Sequence, residues 1–135
     1  DMLTLEVTES AIMADPEKAI TALAMLREMG VKLSIDDFGT GYSSMEQLKR
    51  TPVHELKIDK SFVLELVNNK EDAIIVKSIA DLAHNLGLTI VAEGVEEQKS
   101  LDMLEQFNIE TAQGYFISKP IDADAFMLWL DNYAY

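Results

Sequence analysis

The chain has 135 residues, 48% of them hydrophobic, which is enough for one domain with its own core. Its 24 acidic and 11 basic residues give a formal charge of −13 at pH 7. The sequence has no cluster of Lys and Arg of the kind that binds nucleic-acid backbones, which argues against duplex DNA or RNA as a partner. Cysteine is absent, and no stretch has the length of a membrane span or the pattern of a signal peptide. We expect a cytoplasmic domain without membrane contact of its own, whose parent protein could be membrane-attached through other regions.

The first half of the chain predicts strands that alternate with helices. Apolar residues alternate over residues 3–7, as in a strand. Asp15-Pro16-Glu17 then supplies an N-cap, a proline at the first helical position and an acid in the first turn, so it predicts a helix that ends at Gly30. A second strand follows over residues 31–35 and ends at Asp36.

The rest of the chain repeats this pattern. The predicted elements are a short helix around Met45 to Arg50, a strand over roughly Glu55 to Ile58, a long helix that ends at Gly87, a strand from Leu88 to Ala92, a helix around Lys99 to Phe107, a strand near Thr111 to Phe116 and a helix after Pro120. Five strands alternating with helices predict a parallel sheet. Two architectures satisfy it: a complete doubly wound domain, or a consecutive part of an eight-stranded barrel.

Polar residues mark the carboxyl end of every predicted strand. They are Glu6 and Glu9 on the first strand, Asp36 and Asp37 on the second, Lys57 and Asp59 on the third, Glu93 and Glu96 on the fourth, and Gln113 on the fifth. In a parallel barrel these ends meet on one face, so the residues would surround a single cavity. Taken singly, Glu6 could face solvent and Lys57 could be an exposed residue of an edge strand.

The adjacent carboxylates of Asp36 and Asp37 indicate a metal site. Two neighbouring carboxylates repel each other unless a positive charge lies close, and a divalent cation with oxygen ligands is the usual solution. A solvated Asp-Asp turn is the alternative for an isolated pair. The polar residues on the other four strands favour the metal site, because they would supply it with partners.

Other conspicuous side chains have simpler interpretations. His54 and His84 lack a second ligand at metal-binding spacing, and we expect no direct function for either. Phe126 and Trp129 recur at helical spacing, which is typical of core residues.

Five segments together resemble the successive motifs of a known family. They are Leu5-Glu6-Val7-Thr8-Glu9-Ser10, Ile35-Asp36-Asp37-Phe38-Gly39-Thr40-Gly41-Tyr42-Ser43-Ser44, Leu56-Lys57-Ile58-Asp59, Val91-Ala92-Glu93-Gly94-Val95-Glu96 and Gln113-Gly114-Tyr115. In sequence and order they resemble EAL domains, bacterial phosphodiesterases that hydrolyse cyclic di-GMP to linear pGpG. The resemblance spans nearly the whole chain. It implies a TIM-type (β/α)8 barrel, of which this chain covers about the last five βα units.

The resemblance also implies a site with two Mg²⁺ or Mn²⁺ ions. The implied metal ligands are Glu6, Asp36, Asp37 and Glu93. Lys57 would hold the attacking water or the phosphate, and Glu93 could instead act as a base. Glu96 and Gln113 would support the site and the substrate. Glu9 would anchor the loop over residues 38–44, which in this family connects the metal site to the dimer surface.

The chain departs from the family at its front. The Glu-Ala-Leu motif and about three strands are absent, so we expect residues 1–135 to be the carboxyl-terminal part of an EAL domain, weak or inactive alone. Ile109-Glu110 also stands where the family often has Cys-Asp. We expect a homo-oligomer, in which a second copy completes the barrel or pairs near the loop over residues 38–44.

The sequence leaves two other functions open. The first is a non-catalytic EAL-type module that binds cyclic di-GMP or a protein partner. The second is a receiver-like domain, which also has five βα units, an acidic pair and a lysine. The order of the residues argues against a receiver, because its acidic pair follows the first strand and its lysine follows the fifth.

Overall fold

Five strands and seven helices make up the described part of the chain, which in the computed structural model comprises residues 3–41 and 43–133. The elements are β1 Thr4–Thr8, α1 Glu9–Ala14, α2 Pro16–Glu28, β2 Lys32–Phe38, α3 Met45–Arg50, β3 Glu55–Ile58, α4 Lys60–Leu64, α5 Lys70–Asn85, β4 Thr89–Glu93, α6 Gln98–Gln106, β5 Thr111–Gln113 and α7 Ala123–Asn132. None of these helices combines the length and the apolar character needed to cross a membrane.

The strands form one parallel sheet in the order β1-β2-β3-β4-β5. In a doubly wound sheet, successive strands are added first on one side of the starting strand and then on the other, so the spatial order differs from the chain order. In a barrel, each new strand lies beside the previous one. The sequential order therefore selects the barrel architecture from the two that the sequence allowed.

The two faces of the sheet differ in polarity. The register pairs Glu6 with Ser34 and Glu93 with Gln113, and residues paired in this way project to the same face. This face carries the polar side chains. The opposite face carries apolar residues that pack beneath the helices, including Leu33, Leu56 and Ile90, all fully buried. The helical layer thus holds the sheet in place while its other face is free for chemistry.

Two short helices were not predicted from the sequence. Each begins where a side chain at a strand end accepts a hydrogen bond from a backbone N–H of the first turn: the Thr8 hydroxyl for α1 and the Asp59 carboxylate for α4. Both helices are six residues or shorter, so hydrophobic periodicity carries almost no signal for them.

The expectation that Phe126 and Trp129 lie in the core is wrong. Among the described residues, none of helix α7 is buried, and Phe126 is 44% exposed. The two rings stack on each other with their centroids 6.1 Å apart. Helix α7 follows β5, which lies at the edge of the described sheet and has β4 as its one neighbour there, so the five strands offer no continuous surface to cover the apolar side chains of α7.

Gly114 ends β5 three residues earlier than predicted and packs directly on the backbone of Val95. A Cβ added at Gly114 would lie 2.1 Å from the Val95 carbonyl oxygen and 2.4 Å from its nitrogen. Because backbone atoms cannot rotate away, Gly114→Ala should lower the free energy of unfolding by about 3 kcal/mol, measured by urea denaturation.

Gly87→Ala is the matched control for that substitution. Gly87 has a φ of +74°, but no described atom lies within 4 Å of an added Cβ. Its replacement should cost only the left-handed backbone penalty, about 1 kcal/mol. Equal losses for the two variants would contradict the packing role of Gly114.

Candidate active site

The end of strand β2 is irregular in a way that turns two neighbouring carboxylates to one side. The register between β2 and β3 shifts between Ile35 and Phe38, as at a β-bulge. Asp37 has a φ of +54°, in the left-handed region that non-glycine residues rarely adopt. Its N–H donates a hydrogen bond to Asp36 Oδ1 over 2.9 Å. The two side chains therefore do not diverge as successive residues of a regular strand would.

Asp36, Asp37 and Glu93 form a compact carboxylate group. One carboxylate oxygen from each residue lies within 4.8 Å of the other two. Among the described residues, no other group of three His, Cys, Asp or Glu side chains has this metal-site spacing. All three side chains are half-buried. Burial raises the pKa of Asp37, and the negative charge of Asp36 raises it further. The arrangement concentrates negative charge on hard oxygen atoms, which suits a divalent cation.

Lys57 connects this group to strand β1. Its side chain is 6% exposed, and Lys57 Nζ lies 2.6 Å from Glu6 Oε1 and 2.8 Å from Glu93 Oε1. Burial alone would lower the pKa of Lys57, but the hydrogen bonds to Glu6 and Glu93 outweigh it and raise the pKa above its ordinary value. Burial raises the pKa of Glu93 against the opposing effect of Lys57. Lys57 is therefore a fixed ammonium ion at neutral pH.

Asp59 is a fourth carboxylate near the group. Its Oδ2 accepts hydrogen bonds from the hydroxyl and the backbone N–H of Ser61. Burial is the largest cause that raises the pKa of Asp37, and the nearby Asp59 carboxylate adds to it. Burial acts to raise the pKa of Asp59, but the Ser61 donors outweigh it and the pKa is lowered. The sequence marked Asp59 as a strand-end residue without assigning it to the site. The turn that brings it to Asp37 depends on α4, which sequence periodicity did not show.

Glu9 lies at the start of helix α1 and is 2% exposed. Its Oε2 accepts hydrogen bonds from the N–H groups of Gly39, at 3.1 Å, and Gly41, at 2.9 Å. Its Oε1 accepts from the N–H of Ser43 at 3.3 Å. One buried carboxylate thus holds three backbone amides of the loop that follows Asp37. Tyr42, also in this loop, lies outside the described residues.

A cavity of about 430 Å³ opens beside the carboxylate group. Its lining comprises Asp36, Asp37, Lys60, Leu64, Glu93, Gly94, Glu96, Gln113, Gly114 and Tyr115. Glu96 and Gln113 therefore lie in the same cavity as the three carboxylates. Lys60, Leu64 and Tyr115 were not predicted as site residues. Tyr115 could have been found from its position beside Gln113, whereas Leu64 carries no distinguishing sequence signal.

Comparison with known protein families shows to which family the chain belongs. The sequence model of the EAL domain family matches residues 1–120. The chain belongs to the EAL family.

Relatives and solved structures agree with this assignment. The bifunctional diguanylate cyclase/cyclic di-GMP phosphodiesterase MucR from Pseudomonas aeruginosa is 47% identical over 122 residues, which cover 90% of this chain and 18% of MucR. The cyclic di-GMP phosphodiesterase NbdA from the same bacterium is 44% identical over 133 residues, covering 98% of this chain and 17% of NbdA. The solved structure "PaMucR Phosphodiesterase, c-di-GMP complex" has a TM-score of 0.89 and 46% identity.

The matches cover nearly all of this EAL chain but only part of each relative. The chain spans less than a fifth of MucR and NbdA. In the MucR structure the match covers 92% of this chain and 50% of the other. The likeness confirms the predicted fold class, a TIM-type barrel, with the present strands forming a consecutive part of it.

The EAL motif residues fall into three groups by their contacts. Asp36, Asp37 and Glu93 form the carboxylate group, with Glu96 and Gln113 in the adjoining cavity. Lys57 links Glu93 to Glu6. The Glu6 carboxylate is not part of the group formed by Asp36, Asp37 and Glu93 in the described structure. Glu9 contacts the loop. His54 and His84 lie elsewhere: the His54 ring accepts a hydrogen bond from the Leu33 N–H, and His84 pairs with Glu110.

Removal of the Glu9 carboxylate should loosen the loop over residues 38–44. Glu9→Ala leaves the N–H groups of Gly39, Gly41 and Ser43 without their acceptor, so we expect hydrogen exchange of these three amides to accelerate by about ten- to a hundredfold. Amide exchange followed by NMR measures the effect. Glu28→Ala, at an exposed position near the end of α2, is the control and should leave these rates unchanged. Unchanged exchange in Glu9→Ala would exclude the anchoring role.

Proposed function

We propose that the complete domain to which this chain belongs hydrolyses cyclic di-GMP to linear pGpG with the help of Mg²⁺ or Mn²⁺. The observation that carries this proposal is the group of Asp36, Asp37 and Glu93, joined to Lys57 beside a cavity. Two relatives more than 40% identical to the chain are named as cyclic di-GMP phosphodiesterases, and the MucR structure is a c-di-GMP complex.

The described residues fit a divalent metal ion. Three carboxylates within 4.8 Å supply the hard oxygen ligands that Mg²⁺ and Mn²⁺ prefer, and no thiolate is available in the sequence. We assign Asp36, Asp37 and Glu93 as ligands, with Glu6 and ligands from upstream strands completing a two-metal site. Such ions lower the pKa of bound water and stabilise the negative charge that develops on phosphate oxygens.

Lys57 and Glu93 are assigned complementary roles. Hydrolysis adds a water oxygen to phosphorus, breaks one P–O3′ bond and leaves a proton on O3′. Lys57, held between two carboxylates, is a hydrogen-bond donor and positive charge for the water or the phosphate. Glu93 belongs both to the carboxylate group and to the Lys57 pair, so we assign to it metal binding or acceptance of a proton from the water.

The cavity residues suggest how the dinucleotide is held. Gln113 offers an amide that can both donate and accept hydrogen bonds, and Glu96 offers an acceptor. Guanine edges carry both kinds of group. We therefore assign Glu96 and Gln113 to support of the site and the substrate.

We further propose that an upstream segment with about three strands and the Glu-Ala-Leu motif completes the barrel. In the described sheet, β1 and β5 each pair with one neighbour, and Leu3 and Leu5 on the β1 side are exposed. The match to half of the solved MucR chain supports the same conclusion. A homo-oligomer is proposed on the same ground, and static light scattering would exclude it by giving the monomer mass across the concentration range.

An assay of two chains tests the proposed function. A longer chain that includes the upstream segment should convert cyclic di-GMP to pGpG with Mg²⁺ or Mn²⁺, and EDTA should abolish the reaction. The 135-residue chain alone should be weak or inactive. If the longer chain binds cyclic di-GMP but cleaves none with either metal, the domain is a receptor. Robust metal-dependent turnover by the 135-residue chain would refute its incompleteness.

A further inference from the structure

A second cavity lies at the opposite end of the sheet from the carboxylate group. Its lining includes Lys32 and Thr89, the first residues of β2 and β4, and His54, which immediately precedes β3. Its volume is about 810 Å³, within the range of pockets that hold small molecules. Strands β2 to β4 are interior in the sheet order, so each has both of its neighbours among the described strands. We call it the amino-end cavity.

The charge of the amino-end cavity is opposite to that of the chain. Four of the chain's 11 basic residues, Arg27, Lys32, Lys49 and Arg50, line it together with His54. None of its 24 acidic residues does so within the described lining. In a protein of net charge −13, these residues form a local cluster of basic groups, and clustered basic groups attract anions.

Two of these cations are free to contact a ligand. Lys32 pairs with Glu55 at 3.2 Å, and Arg50 pairs with Glu17 at 2.9 Å. Arg27 and Lys49 are exposed, and neither has a carboxylate partner among the described residues. Arg27 lies in the last turn of α2 and Lys49 in the last turn of α3, where a positive charge stabilises the negative end of the helix dipole. Helix-end stabilisation does not require both side chains to meet at one cavity.

His54 adds a fixed hydrogen-bond donor to these charges. Its Nδ1 accepts a hydrogen bond from the Leu33 N–H over 3.1 Å, so the proton of the neutral ring resides on Nε2. The His54 carbonyl in turn accepts from the Thr89 N–H over 3.1 Å, which ties its backbone to β4. The ring is thus oriented by its neighbours. His54 lines the cavity, and among the described residues no acceptor engages its Nε2–H.

We infer that the amino-end cavity binds a small molecule that carries phosphate groups. Guanidinium groups bind phosphate through paired hydrogen bonds, and lysine and imidazole N–H groups add further donors. The walls formed by Pro52, Leu86 and Leu88 are apolar and can cover the uncharged part of a ligand. The concave shape favours a small molecule over an extended acidic segment of a protein. This site is separate from the proposed metal site and does not depend on its activity.

Calorimetric titration of the chain with inorganic pyrophosphate, and separately with GDP, tests the inference. The experiments are done in EDTA, so that no metal can bridge phosphate to Asp36 and Asp37. We expect saturable binding that weakens with added salt. Tighter binding of GDP would identify a nucleotide site, and equal affinities would identify a diphosphate site. Absence of saturable binding of both probes overturns the inference.

Substitutions then locate the binding. Arg27→Gln and Lys49→Gln should each raise the dissociation constant about tenfold, because each removes a charged donor. Both side chains are exposed and unpaired within the described structure, so the fold should be retained. Lys18→Gln, on the exposed surface of the same helix as Arg27, is the matched control and should bind as the parent chain does. Equal weakening in Lys18→Gln, or probe-induced amide shifts at Gly94 rather than Gly87, would overturn the assignment.

Discussion

Asp36→Asn should reduce metal-dependent hydrolysis of cyclic di-GMP by the complete domain about a thousandfold or more. Asparagine has nearly the same shape but removes a negative charge from the group formed with Asp37 and Glu93. Loss of one carboxylate ligand removes several kcal/mol of charge stabilisation from a metal-assisted reaction. Rates of pGpG formation at saturating Mg²⁺ and Mn²⁺ measure the effect.

The same substitution should not weaken the folded protein when metal is absent. Burial is the largest cause that raises the pKa values of Asp37 and Glu93, and the charge of Asp36 raises both further because it repels their ionised forms. In EDTA the unfolding free energy of Asp36→Asn should therefore be equal to that of the parent or higher, by up to about 1 kcal/mol. Thermal or urea unfolding tests this, with activity measured on the same sample.

Asp102→Asn is the matched control for Asp36→Asn. Asp102 lies exposed on α6, where it accepts a hydrogen bond from Gln98 at 2.8 Å. Its replacement should leave turnover unchanged. Full activity in Asp36→Asn would contradict the assignment of the carboxylate group as the metal site. Loss of activity together with a large loss of stability would show a structural role instead.

Lys57→Met should lower turnover about a hundredfold or more and should also destabilise the fold. Methionine is one atom shorter than lysine and keeps its apolar character, but it leaves Glu6 and Glu93 without the ammonium they share. Loss of a fixed positive charge aimed at developing negative charge costs about 10²- to 10³-fold in rate. Because Glu6 is 45% exposed, water replaces part of the lost pairing, so the stability loss at neutral pH should be about 1–2 kcal/mol.

The stability defect of Lys57→Met should shrink at low pH. Burial already raises the pKa of Glu93, and removal of Lys57 takes away the main influence that lowers it. A carboxyl group whose folded-state pKa lies above its unfolded value binds more protons in the folded state, so stability increases as the pH falls through that folded pKa. Urea unfolding between neutral pH and pH 5 should therefore show a smaller difference from the parent at the acidic end.

Lys99→Met provides the control for the removal of a lysine charge. Lys99 is exposed on α6, and its replacement should change neither turnover nor the pH dependence of stability. If Lys57→Met instead destabilised the protein equally at all pH values, the ion pair with Glu93 would not be the source of the defect.

The longer elements were predictable because local signals agreed with one another. The Asp15-Pro16 cap, the stop at Gly30 and the stop at Gly87 predicted α2 and α5 closely. The strand over Glu55–Ile58 matched its predicted bounds. Helices α1 and α4 were missed because their stability comes from single capping contacts at Thr8 and Asp59, not from a repeated apolar pattern.

The sequence by itself determined the family motifs, the alternation of strands and helices, and the residue types of the site. Tertiary structure decided which of these residues meet. A regular strand sends neighbouring side chains to opposite faces, so only the bulge in β2 and the left-handed backbone of Asp37 bring both aspartates to Glu93. Lys57 could have been an edge-strand surface residue, and only its central strand buries it between two carboxylates. The basic residues of the amino-end cavity come from three places in the chain, because the end of α2, the start of β2 and the end of α3 meet at the same end of the sheet.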